Sequence, residues 1–458
     1  MPGDNQAIGQ DQLHGLFGPF AERADRPCAL AVSGGSDSTA LAVLFAGWLR
    51  QRRADPGAHT VLTVDHGLRP ESAAEARAVT DQATALGFRH AILVWREPKP
   101  STGLQAAARE ARYQLMRDYM GAHDIATLFT AHTRDDQAET LLMRLARGSG
   151  LDGLAAIAPW IEAGPYTGPG ALRIARPLLG VAKARLRATL EARAIPWIED
   201  PSNQSPAFER TRWRAARGDL EALGLSSEML ASSARRLQRA RTALDTLTDA
   251  YCADGGGLVH TDRCGFFRID RERLRQVPEE IALRVIGRCV AAAGGSGEPV
   301  PLGKLEPIVA RLWQGKARKP GSWTLARAQI TAAGEVIRIE REPGRLALPV
   351  VTVAGGAKVL WDGRFAIEIA DGLAGDLEVR ALGRAGLAEL KRLGCAVKGA
   401  SGLLLAPSFW RANNLLAVPA IDFWVQEGLD RLISADFMGL RYNSGGIGVV
   451  GKDDPEAS

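Results

Sequence analysis

A run of small and hydroxyl-bearing residues near the N-terminus has the composition of a phosphate-binding loop. The run reads SGGSDS. It follows an apolar stretch at residues 28–32 and precedes a helical pattern that starts at Thr39. Small residues allow the backbone to approach an anion, and the free N–H groups at the start of a helix point toward it. We therefore expect a phosphate site made of Ser33, Gly34, Gly35, Ser36, Asp37 and Ser38.

This loop is not a Walker A motif, because the sequence G-x-x-x-x-G-K-[ST] does not occur in the chain. Without the lysine of that motif, backbone N–H groups and hydroxyls must hold the phosphates. A carboxylate beside phosphates requires a cation between them, so Asp37 is the candidate Mg²⁺ ligand. The loop taken alone is also compatible with a Ser/Gly turn that only caps a helix.

A second cluster combines a histidine with three acids in the sequence AHTRDDQAET at residues 131–140. Thr133 and Asp136 have the spacing of a capping box, and Asp136 and Glu139 are neighbours on one helix face. Together with His132, these acids could hold Mg²⁺, bind an ammonium group or take a proton from an amine. The alternative is that some of them only favour the positive end of a helix dipole.

Arginines form the third group of candidate residues. Arg112 could clamp a phosphate or a nucleic acid, or it could lie on a solvated helix face. Further along, residues 208–241 contain eight arginines against four acids, at helical spacing. Two basic helices in succession suit a polyanionic backbone.

Composition narrows the class of protein. A chain of 458 residues with 46% hydrophobic and 24% charged residues is expected to form two or three globular domains. The five cysteines include no C-x-x-C pair, which argues against a zinc ribbon, an iron–sulfur cluster or a thiol-redox pair. The N-terminus lacks an apolar targeting segment, and no apolar run is long enough to span a bilayer. We expect a cytoplasmic protein with no membrane partner.

The elements that must position these residues alternate between strand-like and helix-like patterns. The predicted strands are residues 28–32, 60–64, 91–95, 127–131 and 172–175. The predicted helices are residues 39–53, 72–86, 104–122, 135–147 and 183–194. Such alternation predicts an α/β fold with a doubly wound, mostly parallel sheet, whose ligands bind at the carboxyl ends of the strands. The polar clusters all fall at those ends.

Two further domains are predicted beyond this one. The boundaries we expect are 1–218 for the catalytic domain, 219–341 for a mainly helical middle domain and 349–450 for a small α+β C-terminal domain. Within the middle domain, the turn at 319–321 is followed by a predicted strand at 324–330.

With these residues in place, the chain resembles the tRNA(Ile)-lysidine synthetases of the PP-loop ATP pyrophosphatase superfamily, whose fold is also described as adenine nucleotide alpha hydrolase-like. SGGSDS matches the superfamily loop. The narrower matches are VDHGLRPES at 64–72, AREARY at 108–113, AHTRDDQAET at 131–140, RGSGLDGL at 147–154, RPLL at 176–179 and EDPSN at 199–203. Their order and spacing are similar to the family throughout, and the combination is far more specific than the loop alone.

The resemblance implies a two-step ligation. ATP adenylates the C2 oxygen of the wobble cytidine in a tRNA(Ile) with a CAU anticodon, and the ε-amine of L-lysine then displaces AMP to form lysidine. It implies that residues 33–38 bind the ATP phosphates, with Asp37 on Mg²⁺. It also implies that His132 and Arg112 face nucleotide or tRNA, and that the two later domains bind tRNA. Asp136 and Glu139 are the best candidates for holding and activating the lysine amine, and Asp135 is a weaker one.

Two positions depart from the family pattern. Thr133 stands where a second histidine is common, and Arg210-Thr211-Arg212-Trp213-Arg214 stands where Arg-Asn-Arg-x-Arg is usual. Neither departure removes an acid or the loop. The rival functions are a PP-loop tRNA cytidine thiolase, which would need paired cysteines, a PP-loop amidating synthetase, and a non-catalytic tRNA-binding protein, which would not need Asp37, Asp136 and Glu139 together.

Overall fold

The computed structural model describes residues 5–68, 71–163, 172–199, 209–253, 258–296, 299–314, 320–344, 347–397 and 402–440. The chain folds as two compact units that divide between Thr242 and Ala243. The predicted domain boundaries at 218 and 341 stay predictions. Most of the expected EDPSN motif and two residues of VDHGLRPES, Arg69 and Pro70, fall outside the described residues.

The first unit is built on a six-stranded sheet whose strand order is β3-β2-β1-β4-β6-β5. All pairs in this sheet are parallel except β5 with β6. The strands are β1 (Cys28–Ala31), β2 (Thr60–Asp65), β3 (Arg89–Val94), β4 (Thr127–Phe129), β5 (Trp160–Ala163) and β6 (Leu172–Ala175).

Helices cover both faces of this sheet. The helices of the unit are α1 (Leu13–Phe17), α2 (Ala21–Ala24), α3 (Ser36–Gln51), α4 (Ser72–Leu86), α5 (Leu104–Ala122), α6 (Arg134–Ala146), α7 (Leu151–Leu154), α8 (Lys183–Glu191), α9 (Glu209–Ala215), α10 (Arg217–Ala222) and α11 (Ser227–Cys252), the last of which crosses the unit boundary. Leu41, Phe45 and Trp48 of α3 belong to one apolar cluster, whereas Tyr113 and Met116 of α5 belong to another. The consecutive residues Ala29 and Leu30 of β1 point to opposite faces of the sheet: Leu30 belongs to the first cluster and Ala29 to the second. This is the pattern of a sheet buried on both sides.

The predicted doubly wound α/β fold is confirmed, with two local differences. Helix α3 begins at Ser36 rather than Thr39, so three loop residues belong to its first turn. Strand β5 was not predicted, and it pairs antiparallel with β6 at the sheet edge.

The second unit carries antiparallel sheets in addition to helices. One five-stranded sheet joins β7 (Val259–Asp262), β8 (Phe266–Asp270), β9 (Gly321–Leu325), β10 (Ala328–Ala333) and β11 (Val336–Arg341). The helices are α12 (Arg271–Arg275), α13 (Glu279–Gly294), α14 (Leu302–Gln314) and α15 (Gly383–Arg392). The segment predicted to be mainly helical therefore also contains a sheet, against which α13 packs.

Two smaller sheets complete the second unit. One joins β12 (Val351–Val353), β15 (Leu377–Ala381), β16 (Pro407–Arg411), β17 (Asn414–Val418) and β18 (Phe423–Trp424), and the other joins β13 (Lys358–Trp361), β14 (Phe365–Ile369) and β19 (Ile433–Phe437). With α15 they give the α+β character expected of the C-terminal segment. Among the described residues, no helix has the length and apolar character needed to cross a membrane.

Candidate active site

The candidate site lies where the direction of strand order changes. Strands β1 and β4 are adjacent and parallel at the centre of the sheet, and the chain continues from β1 toward one edge and from β4 toward the other. A crevice at the carboxyl ends of two such strands is where open α/β sheets bind ligands. The phosphate-loop residues 33–38 follow β1, and His132 and the acids of α6 follow β4.

The loop after β1 requires glycine at its second residue. Gly34 has φ +88°, and a Cβ added there would come within 2.6 Å of Ile198 Cδ1 and 3.1 Å of Val79 Cγ2. The carbonyl oxygen of Gly34 accepts a hydrogen bond from the backbone N–H of Ile198 at 2.9 Å. Gly35 differs, since a Cβ there would meet nothing nearer than Ser33 Oγ at 3.9 Å. The space beside Gly35 is therefore open.

The start of α3 supplies hydrogen-bond donors to that space. The first intrahelical bond runs from Thr39 N to Gly35 O at 2.9 Å, so the N–H groups of Ser36, Asp37 and Ser38 have no acceptor within the helix. The Ser38 hydroxyl donates to Gly35 O at 3.1 Å and accepts from Ser33 N at 3.2 Å, which ties both ends of the loop together. The geometry fits the expected binding of a phosphate at a helix N-terminus.

Lys183 supplies a cation that the loop itself lacks. It is the first residue of α8, and its Nζ lies 2.9 Å from Oδ2 of Asp37. Asp37 is mostly buried, and burial raises the pKa of its carboxyl above the ordinary value. The positive charge of Lys183 opposes this rise, and the negative charge of Asp136 adds to it. The carboxylates of Asp37 and Asp136 therefore lie close enough to influence each other's pKa.

Helix α6 begins with the predicted capping box. Asp136 Oδ2 accepts hydrogen bonds from Thr133 N at 2.7 Å and from Thr133 Oγ1 at 2.8 Å. Burial would raise the pKa of Asp136, but His132, Arg210 and Lys183, together with the Thr133 N–H, hold it below its ordinary value. Thr133 thus fills a capping role, and Asp136 is kept ionised.

Asp135 points to different partners from Asp136. Its Oδ2 accepts from the backbone N–H of Lys183 at 2.8 Å, and its Oδ1 accepts from Arg217 Nη1 at 2.6 Å. Both oxygens are therefore used in joining the start of α6 to α8 and α10. This arrangement favours a structural role for Asp135, which the sequence had ranked below the other two acids.

Glu139 is held by an arginine from α9. Arg214 Nε donates to Oε1 at 2.7 Å and Arg214 Nη2 donates to Oε2 at 3.2 Å, a bidentate pair. Burial raises the pKa of Glu139, the charge of Asp136 raises it further, and Arg214 and Arg210 oppose the rise. The two predicted amine-binding acids thus differ in electrostatic character.

The histidine of the second cluster is buried behind these acids. His132 Nδ1 lies 2.8 Å from Thr130 Oγ1, and Arg176 Nε donates to it at 3.3 Å. Arg176 is the first residue of the RPLL motif, so this hydrogen bond connects the start of that motif to His132.

Arg112 lies in a different part of the same sheet edge. Burial and, to a smaller extent, the charges of Arg112 and Lys99 lower the pKa of His66 to about 4. His66 follows β2 and contacts Trp95 edge-on at 5.9 Å between ring centroids. The structure therefore groups Asp37, Asp136 and Glu139 together, with His132 beside them, and places Arg112 near His66.

The predicted arginine run divides into two parts with different surroundings. Arg214 and Arg217 pair with acids of α6, and Arg210 is buried. Three arginines of α11 are exposed instead: Arg235, Arg236 and Arg239. This second part has the character of a solvated basic face, and in the first part Arg212 and Arg217 are exposed as well.

Sequence reasoning missed the cations that partner the acids. Lys183 is far from Asp37 in sequence, and the spacing of AKARLR offered no signal beyond an ordinary helix start. The sequence predicts nucleic-acid contacts for Arg214 and Arg217, because a helical stripe of arginines is usually solvated. The excess of acids at the start of α6 was the one signal that could have indicated inward-facing partners.

At the candidate site, a metal ion would need oxygen ligands from the substrate in addition to those from the protein. Among the residues the structure describes, no group of three or more His, Cys, Asp or Glu side chains could hold a metal ion. Mg²⁺ at nucleotide sites is commonly held by one or two carboxylates with phosphates and waters. Asp37, beside the open N-terminus of α3, fits that donor set.

Comparison with known proteins gives concordant results. A family model described as a PP-loop domain matches residues 7–217. The chain is 43% identical to the tRNA(Ile)-lysidine synthase of Bradyrhizobium diazoefficiens over 75% of this chain and 96% of the relative. It is 37% identical to that of Ruegeria pomeroyi over 90% of this chain and 92% of the relative.

Among solved structures, the U34-tRNA thiolase NcsA from Methanococcus maripaludis with its [4Fe-4S] cluster is similar at a TM-score of 0.42 and 16% identity, covering 50% of this chain and 77% of that one.

Proposed function

The chain belongs to the tRNA(Ile)-lysidine synthase family, and from that premise we propose how its residues divide the reaction. The enzyme is an ATP-dependent ligase that joins L-lysine to C2 of the wobble cytidine in tRNA(Ile) with a CAU anticodon. One observation carries the proposal. The phosphate-type loop, which includes Asp37, and the carboxylates of Asp136 and Glu139 lie together at the carboxyl ends of the adjacent strands β1 and β4.

The first step is adenylation of the tRNA. The cytidine O2 attacks the α-phosphorus of ATP, an O–P bond forms, and pyrophosphate leaves. The N–H groups of Ser36, Asp37 and Ser38 orient the phosphates, because they have no acceptor within α3. Lys183, held 2.9 Å from Asp37, adds positive charge beside them.

Asp37 is the residue that would hold Mg²⁺ together with the ATP phosphates. When bound, the ion would neutralise charge on those phosphates. Removal of divalent cations with EDTA is expected to abolish pyrophosphate release.

The second step is attack by lysine. The ε-amine must lose a proton to attack C2; the C–N bond then forms, the C2–O bond breaks and AMP leaves. Glu139 and Asp136 attract the ammonium group; Asp136, whose pKa lies below its ordinary value, remains ionised, and Glu139, whose pKa burial raises, is the better proton acceptor of the two. His132 is positioned behind Asp136 and contributes to keeping it ionised.

The direct test is ATP-dependent transfer of labelled lysine to a transcript of the CAU-anticodon tRNA(Ile). We expect incorporation with one AMP and one pyrophosphate per lysine, and no transfer to the methionine tRNA that shares this anticodon. Asp136→Asn is expected to abolish transfer. Transfer of an acceptor other than lysine to the tRNA, with no transfer of lysine, would exclude this function. The cytoplasmic location stays a prediction.

A further inference from the structure

Arg214 is the only side chain in the hydrogen bonds described for Glu139, and it uses both carboxylate oxygens. The bonds are 2.7 Å from Nε to Oε1 and 3.2 Å from Nη2 to Oε2, and they join α9 to α6. The Glu139 side chain is 12% exposed and that of Arg214 is 36% exposed. The pair is thus shielded on the carboxylate side and open on the guanidinium side.

Such a pair is needed because Glu139 has an unfavourable environment for a charge. It is buried, and Asp136 lies one turn before it on α6. The positive charges of Arg214 and Arg210, both on α9, oppose the rise in the pKa of Glu139. Lys183 of α8 and Asp37 of α3 interact electrostatically with Asp136 and Arg214 of the same cluster. A protonated Glu139 could not attract the ammonium group of lysine.

We propose that Arg214 is a positioning residue for lysine: it fixes the Glu139 carboxylate and keeps it charged, so that Glu139 can receive the substrate amine. This inference rests on the proposed function. A carboxylate can accept about four hydrogen bonds, and a bidentate arginine occupies one position on each oxygen. Acceptor capacity therefore remains on both oxygens of Glu139.

A competing interpretation is that Arg214 occupies the place of the lysine ammonium and must leave before substrate binds. The two interpretations predict opposite changes when Arg214 is neutralised. Under our proposal, apparent lysine affinity falls. If Arg214 blocks the site, apparent lysine affinity rises.

The experiment compares Arg214→Gln and Arg214→Lys in the full-length enzyme with the CAU-anticodon tRNA. Two reactions are followed from pH 5 to pH 9: formation of adenylated tRNA without lysine, and transfer of labelled lysine. The control is Arg52→Gln, which breaks an exposed ion pair with Asp25 by the same chemical change. Glu139→Gln is the second variant, which removes the titrating group itself.

For Arg214→Gln we expect KM for lysine to rise about tenfold or more, with adenylated tRNA still formed. Loss of the cation raises the pKa of Glu139 further, so the acidic limb of kcat/KM for lysine moves to higher pH. Arg214→Lys retains the charge and is expected to return the limb toward that of the unmodified enzyme. Glu139→Gln is expected to remove this limb, and Arg52→Gln to leave it unchanged.

Three results would overturn the proposal: a lower KM for lysine in Arg214→Gln, an unmoved acidic limb, or equal loss of both reactions. Poor folding of Arg214→Gln leaves the decision to Arg214→Lys and Glu139→Gln, because an acidic limb that persists in Glu139→Gln also overturns it. Failure of the unmodified enzyme to adenylate the tRNA is a different result and rejects the proposed function itself.

Discussion

At the scale of single residues, the two loop glycines are required for different reasons. Gly34 adopts a left-handed conformation and is enclosed by Ile198 and Val79, whereas Gly35 has an extended conformation and faces open space. A side chain at Gly34 disturbs the folded protein. A side chain at Gly35 disturbs only what enters the loop.

Gly34→Ala is therefore expected to lower the free energy of unfolding by about 1–3 kcal/mol, from backbone strain and the contact with Ile198. Gly35→Ala is the matched control: its unfolding free energy should stay within about 0.5 kcal/mol, while its KM for ATP rises because the Cβ obstructs the phosphate. Denaturant unfolding and ATP titration measure the two quantities. Equal stability losses in both variants would contradict this account of the loop.

At the scale of elements, α6 is connected to its neighbours through Asp135. One oxygen receives the first backbone N–H of α8 and the other receives Arg217 of α10, so a single side chain ties three helix starts together. Asp136, the next residue, turns instead to its own capping box and the candidate site. Adjacent residues on a helix point about 100° apart, which separates the structural acid from the functional one.

Asp135→Ala should consequently reduce stability more than chemistry. Loss of an acceptor for a backbone N–H and for a guanidinium is expected to cost about 1–3 kcal/mol. Thermal unfolding would show this loss, and lysine transfer at 25 °C should remain measurable. Asp136→Asn is the comparison, since it should abolish transfer. Abolished transfer in a stable Asp135→Ala enzyme would place Asp135 in the chemistry.

The exposed arginines of α11 support a second prediction at this scale. Arg235, Arg236 and Arg239 are exposed on α11, whereas Arg214 and Arg217 are paired with Glu139 and Asp135. Replacing all three by alanine is expected to weaken tRNA binding and to reduce the dependence of log affinity on log salt by about 2 to 3. Filter binding at several salt concentrations measures this slope. An unchanged slope would assign tRNA contact to other surfaces.

The elements show which features a single sequence could predict. The parallel strands and their helices were predicted within a few residues, because apolar periodicity and small-residue loops mark them locally. The sequence predicts one strand over 324–330, but these residues belong to the hairpin of β9 and β10, whose turn places Ala326 and Arg327 at positive φ. Neither residue type signals such a turn, so tertiary pairing decides it. The pairing of Lys183 with Asp37 likewise depends on the fold.

At the scale of the whole molecule, each unit has its own apolar core, and the second also contains a buried cluster of charge. Asp362 accepts from Arg364 Nε at 2.7 Å, from Arg341 Nε at 3.1 Å and from Arg327 Nη2 at 3.4 Å. Asp362, Arg341 and Arg364 are almost completely buried, and burial lowers the pKa of Arg364 to about 10. One carboxylate therefore forms ion pairs with three arginines, which lie in β11, in the β9–β10 turn and in the β13–β14 turn.

Asp362→Asn tests whether the two units unfold separately. Removing the sole carboxylate described in this cluster leaves buried arginines without a counter-charge, at an expected cost of about 3–5 kcal/mol. That cost should lower the melting temperature of the second unit by roughly 10 °C. Glu368→Gln is the control, since Glu368 forms an exposed pair with Lys358 that contributes about 1 kcal/mol or less.

Hydrogen exchange followed by mass spectrometry distinguishes the units. We expect faster exchange in β11, β13 and β14 while β1 and α3 keep their protection, because the charge cluster lies wholly in the second unit. Equal loss of protection in both units would show that they unfold as one.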